Sequence, residues 1–279
     1  MPLSLLVLDA YAPEGRDALR AAGGTEAGLL YERMLRRLAP DARIERAHPA
    51  DADARLPDAG ALAAFDGVCW TGSSLTIHRD DDPRVTRQID FARAVFAAGV
   101  PSFGSCFAAQ LAVVAAGGRC AENPRGREFG IARRISLSRA GRAHPLFAGK
   151  PDVFDAFTSH ADEVATLGRA ATLLASNDWS RVQAVDVASG RGRFWALQYH
   201  PEYDPHEVAS LCRIRRDELV AQGIFDDAAA ADRYIDDLEA LHAEPGRADL
   251  REALGVDETL LDEDVRTREV RNWLASLVG

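Results

Sequence analysis

The chain has 279 residues, 47% of them hydrophobic, and 43 acidic against 33 basic residues give it a formal charge of −10. That balance opposes attraction to phosphate backbones, so nucleic acid is not an expected partner. No window reaches the run of about 20 apolar residues needed to span a bilayer, which leaves one large domain with an elaboration, or two small ones, built on a real core.

The first element is the apolar run Leu3 to Leu8. It is too short for a secretory core, has no basic residues before it and no small-residue cleavage site after it, so it reads as a buried strand and the protein is expected in the cytoplasm. Strand patterns at Ala42 to Ala47, Gly67 to Trp70 and Pro101 to Gly104 alternate with helical patterns at Thr25 to Leu38 and Arg84 to Ala98. This alternation predicts an α/β fold in three layers, a mostly parallel sheet flanked by helices. The second helix has legible ends: Asp82 caps it, Pro83 suits its first position and Gly99 closes it, while Val85, Ile89 and Phe96 form its apolar stripe. His78 with Asp80 to Asp82 reads as a solvated loop and helix cap rather than a metal site.

From Phe129 to Tyr199 shorter alternating runs, among them Val153 to Phe157, Val182 to Val187 and Phe194 to Leu197, predict further strands, some antiparallel. Beyond Pro205 strand signals vanish, and Glu207 to Gln222, Asp226 to His242, Ala248 to Leu254 and Thr259 to Leu277 read as helices. The expected organisation is a domain over residues 1–205 and an appended helical C-terminal extension over 206–279. Cysteines 69, 106, 120 and 212 have neither paired nor zinc-type spacing and read as reduced thiols. Neither a metal centre nor a cofactor is expected, and there is no Gly-x-x-x-x-Gly-Lys phosphate loop.

The chemistry concentrates at Pro101-Ser102-Phe103-Gly104-Ser105-Cys106-Phe107-Ala108-Ala109-Gln110, an apolar strand turning sharply into an Ala-rich helix. Such an elbow raises Cys106 above the sheet edge, where the free N–H groups and positive dipole end of the helix favour thiolate. The Phe107 N–H can face a developing oxyanion. Alone, a Gly-x-Cys before a helix is more often a packed cysteine. A partner occurs at Phe194 to Glu202, where a strand runs into His200-Pro201-Glu202 and Pro201 keeps the backbone extended, so that His200 and Glu202 project to one side. An imidazole there takes the thiol proton and returns it to a leaving nitrogen, while Glu202 orients the ring.

At these residues the sequence resembles the class I glutamine amidotransferases, in particular the amidotransferase domain of GMP synthase and its free-standing relatives. Arg127-Glu128-Phe129-Gly130 and Thr158-Ser159-His160-Ala161-Asp162-Glu163-Val164 are similar to segments of that branch. The resemblance covers residues 3 to 205 and implies a flavodoxin-like sheet with Cys106, His200 and Glu202 as catalytic triad. It further implies Gly72, Ser73 and Phe107 at the oxyanion, and Gln110, Arg127, Glu128, Phe129, Gly130 and His160 around the substrate. Ser73 stands where the family has a second glycine, which predicts backbone strain if that position needs a positive φ.

The resemblance implies that glutamine is attacked by Cys106, that a γ-glutamyl thioester forms, and that ammonia leaves for an acceptor, with a separate synthetase as the expected partner protein. The alternatives are a γ-glutamyl hydrolase without ammonia transfer and a noncatalytic binding or regulatory relative. A Cys-type α/β-hydrolase is disfavoured because Glu202 follows His200 instead of preceding it.

Overall fold

The computed structural model describes residues 2–79 and 81–278; Asp80, part of the predicted loop and cap, lies outside them. In chain order the elements are β1 (Ser4–Leu8), α1 (Pro13–Ala21), α2 (Ala27–Leu38), β2 (Arg43–Ala47), α3 (Ala59–Leu62), β3 (Gly67–Trp70), α4 (Pro83–Ala98), β4 (Ser102–Ser105) and α5 (Phe107–Ala115). There follow β5 (Arg119–Glu122), β6 (Glu128–Leu137), α6 (Arg139–Ala143), β7 (Val153–His160), β8 (Asp162–Thr166), β9 (Ala171–Ser176), β10 (Ala184–Ser189) and β11 (Gly192–Leu197). Helices α7 (Pro205–Ala221), α8 (Ala228–Ala243), α9 (Ala248–Leu254), α10 (Glu258–Leu261), α11 (Glu263–Arg266) and α12 (Arg268–Ser276) complete the chain.

Nine strands form one mixed sheet in the order β2-β1-β3-β4-β11-β10-β9-β6-β7. The pairs from β2 through β11 are parallel and those from β11 through β7 antiparallel. Helices cover both faces, as the alternating pattern predicted. On one face Phe194 and Ala196 of β11 pack with Val85, Ile89 and Phe96 of α4 and with the Ala-rich α5. On the other, Trp195 and Leu197 pack with Tyr31 and Leu35 of α2. Both predicted ends of α4 are present: the Asp82 carboxylate accepts from the Arg84 N–H, and Gly99 closes the helix at φ 81°.

The helices after Pro205 share the core of the sheet. Those from α7 to α10 bury Val208, Leu219, Ile235, Leu238 and Leu260 against Tyr11 and Phe157. Helix α12 adds Val270, Trp273 and Leu274 to the second face. The single helix predicted over Thr259 to Leu277 is instead three short ones. Asp262 interrupts it by accepting from the backbone N–H groups of Asp264 and Val265, and the Thr267 hydroxyl donates to the Glu263 carbonyl. Local side-chain bonds of this kind compete with continuous helix.

Candidate active site

Two parallel strands bring the candidate residues together. In the pairing of β4 with β11, Leu197 lies opposite Ser105, so both strands end at the same sheet edge. Cys106 follows β4 directly, and its N–H donates to the Leu197 carbonyl at 2.7 Å. His200 is three residues beyond Leu197, its N–H donating to the Phe157 carbonyl of β7 at 2.8 Å. Open α/β sheets place ligand sites at the carboxyl ends of their strands.

Cys106 has φ 55° and ψ −106°, one of two non-glycine residues with positive φ among those described. Side chains rarely adopt that conformation, and it persists only where the surroundings impose it. Gly104 makes the elbow possible, since a Cβ there would meet the Ala108 Cβ at 2.4 Å and the Trp70 carbonyl oxygen at 2.6 Å. Phe107 opens α5, so its N–H has no carbonyl within the helix to bond and is free for a ligand.

The imidazole of His200 is buried, and its Nδ1 lies 2.7 Å from Oε1 of Glu202. Ser105 Oγ donates to the same Oε1 at 2.9 Å and accepts in turn from the Tyr31 hydroxyl at 2.7 Å. A carboxylate only accepts, so the direction of this relay is fixed. With Nδ1–H turned to Glu202, Nε2 is the ring nitrogen left for the Cys106 thiol, whose Sγ lies 3.7 Å from the Ser159 carbonyl oxygen. The Tyr203 ring stacks on the imidazole with centroids 3.8 Å apart and planes 5° apart. Burial alone would push His200 down, but the Glu202 carboxylate and the bond to Cys106 outweigh it and raise the group to about 9.

A pKa raised from 6.5 to about 9 means that the stability contributed by the His200 imidazolium is complete below pH 6.5 and is lost as pH rises through about 9. The alkaline limb of kcat/KM is expected to fall over that upper range. In Glu202→Gln burial is left as the dominant influence, so the limb is expected to move to lower pH with reduced turnover. Paired pH profiles of wild type and variant check this, and coincident limbs would show that Glu202 does not set the charge on His200.

The loop after β3 approaches the pair closely. A Cβ on Gly72 would stand 2.9 Å from His200 Cε1 and 3.5 Å from Cys106 Cβ, which accounts for glycine there. Strain predicted at Ser73 is absent, because Ser73 is not among the positive-φ residues. Its hydroxyl instead anchors the loop, donating to the Ala10 carbonyl at 2.9 Å and accepting from the Leu75 N–H at 3.1 Å.

Cys106, Phe107 and Ser73 line a cleft of about 70 Å³ together with Gln110, Arg127 and His160. Gln110 donates to the Asp162 carbonyl at 3.2 Å and to Gln198 at 3.3 Å. Glu128 lies opposite His160 in the pairing of β6 with β7, and its carboxylate holds the His160 Nε2 at 2.9 Å from beneath. Glu128 and Phe129 border a neighbouring cavity of about 490 Å³, and Gly130 backs onto Tyr234 of α8. Neither Phe129 nor Gly130 is part of the cleft lining.

The other three cysteines are free and buried, and burial pushes the Cys69, Cys120 and Cys212 thiols up, the latter two to about 12. Asp9, Glu26 and His48 bring ligand atoms within 4.8 Å of one another, but both Asp9 oxygens already accept backbone N–H groups, of Tyr11 and Gly28. Sequence reasoning missed Tyr31, Ser105, Tyr203 and Arg215. Ser105 and Tyr203 each adjoin a candidate residue in sequence, whereas Tyr31 carries no local signal and Arg215 sits in a short basic run, Arg213 to Arg216, whose sequence reads as a solvated face but which places this one side chain in the cleft lining.

A nucleophilic side chain at a strand-to-helix elbow, beside a buried His–carboxylate pair, is the arrangement of amidases that work through an acyl-enzyme. The sequence profile described as glutamine amidotransferase class-I matches residues 66–211. The chain belongs to the class I glutamine amidotransferase family and is an enzyme of that family. It is 32% identical to a γ-glutamyl-L-1-hydroxyisopropylamide hydrolase of a Pseudomonas species over 99% of this chain and 93% of that protein. It is 30% identical to the glutamine-hydrolysing GMP synthase of Streptomyces avermitilis over 63% of this chain, a match that spans only 31% of that protein. A crystal structure of a Thermotoga maritima glutamine amidotransferase superposes with a TM-score of 0.69 at 15% identity, covering 100% of this chain and 99% of that one. Among the described residues no helix is long and apolar enough to cross a membrane.

Proposed function

We propose that the protein hydrolyses the side-chain amide of glutamine and of related γ-glutamyl amides, with Cys106, His200 and Glu202 as its catalytic triad. The reading is carried by one observation: the strained Cys106 elbow and the buried His200–Glu202 pair meet at one sheet edge, beside a cleft that the thiol enters. His200 Nε2 holds the proton taken from the thiol as part of an imidazolium, and the sulfur, as thiolate, attacks the δ-carbonyl carbon. The negative charge that develops on the oxygen meets the N–H of Phe107 and the backbone of Gly72 and Ser73. As the C–N bond breaks, His200 returns the proton to the departing nitrogen, leaving a γ-glutamyl thioester. Water then gives a proton to His200 and attacks the thioester, the C–S bond breaks, and glutamate and the free thiol are released.

A second reading concerns the leaving group. Likeness to the Pseudomonas hydrolase extends across nearly the whole chain, helices α7 to α12 included, whereas the likeness to GMP synthase stops short of that. This favours N-substituted γ-glutamyl amides, whose amine leaves without passing to a synthetase. Release of glutamate and amine from L-glutamine and from a γ-glutamyl alkylamide, with and without a candidate synthetase, separates the two. Higher kcat/KM on the alkylamide supports a self-contained hydrolase, stimulation by the synthetase supports ammonia transfer, and cleavage of neither substrate sinks the proposal.

A further inference from the structure

The cleft beside Cys106 holds one side chain from outside the matched family segment. Arg215 lies on α7, beyond residues 66–211, yet lines the cleft with Arg127 from the loop before β6. Arg127 is largely buried, its side chain 9% exposed, and its Nε is enclosed without a hydrogen-bond partner. The Arg215 Nε is also enclosed and unpartnered. A single carboxylate serves both guanidinium groups: Glu218 lies 2.8 Å from Arg127 and 3.5 Å from Arg215. Two fixed cations against one anion leave an excess positive charge at the wall of a narrow cleft. Buried donors without acceptors carry a desolvation cost that a ligand oxygen relieves.

Asp162 lines the same cleft, its carboxylate 3.5 Å from His78 Nδ1. The space therefore offers a planar cationic fork and a carboxylate within reach of a nucleophile, which matches an α-amino acid head, carboxylate to the arginines and ammonium to the acid.

We infer that Arg215, steadied with Arg127 by Glu218, binds the α-carboxylate of the γ-glutamyl substrate and so restricts the enzyme to γ-glutamyl compounds with a free α-carboxylate. The inference rests on the proposed γ-glutamyl amidase reading and names the substrate head that its cleft selects. It also gives α7 a role in recognition, where its packing alone would make it a cover for the sheet.

The test compares L-glutamine with 4-aminobutanamide, which keeps the amide and the amine but lacks the carboxylate. Binding of each is titrated into Cys106→Ala protein and into Cys106→Ala/Arg215→Gln, and turnover of each is measured with wild type and Arg215→Gln. Loss of one charge-assisted contact is expected to weaken glutamine binding and kcat/KM roughly 10- to 100-fold, with 4-aminobutanamide unchanged and Arg215→Lys recovering part of the loss. Equal losses on both compounds, or none on either, overturn the inference. Because binding is read in a protein without the nucleophile, selective loss of glutamine affinity upholds the carboxylate site even where turnover fails and the amidase reading falls with it.

Discussion

Replacing Cys106 with alanine is expected to lower γ-glutamyl amide turnover by about 10⁴-fold or more while leaving the unfolding midpoint close to that of wild type. The size of the loss follows from the chemistry, because without the thiol no thioester forms and water must attack the amide directly. The indifference of stability follows from the backbone. Alanine at φ 55° is as strained as cysteine there, and the bond from the residue 106 N–H to the Leu197 carbonyl survives the change. Intact mass after treatment with the glutamine-like electrophile diazo-oxo-norleucine reads the same point directly. One adduct is expected on wild type and none on Cys106→Ala, since Cys69, Cys120 and Cys212 are buried with raised thiol pKa values. Near-wild-type turnover in the variant would remove Cys106 from the reaction.

The second large effect is on stability. Trp273 of α12 is 1% exposed, its ring centroid lies 5.7 Å from that of Phe103, and a Cβ on Gly67 would meet it at 2.8 Å. It fills the second face of the sheet directly beneath the strand that carries Cys106. Truncation to alanine leaves a large cavity between β3, β4 and α12 and is expected to cost about 3–5 kcal/mol. Urea denaturation measures this as a lower midpoint at unchanged slope. The fraction that stays folded is expected to keep its kcat/KM, because Trp273 is not part of the cleft lining. A cost below about 1 kcal/mol would mean that α12 is a detachable appendage.

The sequence displayed the parts of this molecule more fully than their assembly. Alternating apolar runs, the Asp82 cap and the Gly99 stop placed β1 to β4 and α4 within a residue or two, because each of those signals is local. The Cys106 elbow and the His200–Glu202 pairing were legible as geometry for a similar reason: the elbow and the His-Pro-Glu run each carry their shape in a few consecutive residues. What stayed hidden depends on strand order. Tyr31 reaches Ser105 across 74 positions, and Arg215 joins Arg127 only because α7 lies over the end of the sheet. Ser73 misled in the other direction, since a glycine in the resembled family suggested a torsion that this loop does not use. Thr259 to Leu277 looked like one helix because composition registers helical preference but not the side-chain bonds of Asp262 and Thr267 that divide it.

The register of β11 against β4 ties folding to catalytic distance. Phe194 and Ala196 face one core, Trp195 and Leu197 the other. A slip of one residue would send all four to the wrong sides, so the alternation of these apolar side chains admits a single alignment. That same slip would displace His200 relative to Cys106 by about 3.3 Å, the rise of one strand residue, enough to break the proton transfer proposed between them. The hydrophobic pattern of one strand thus serves as the ruler that sets the spacing of the proposed base and nucleophile, and errors in that spacing are filtered out during folding because a misaligned sheet cannot close its cores.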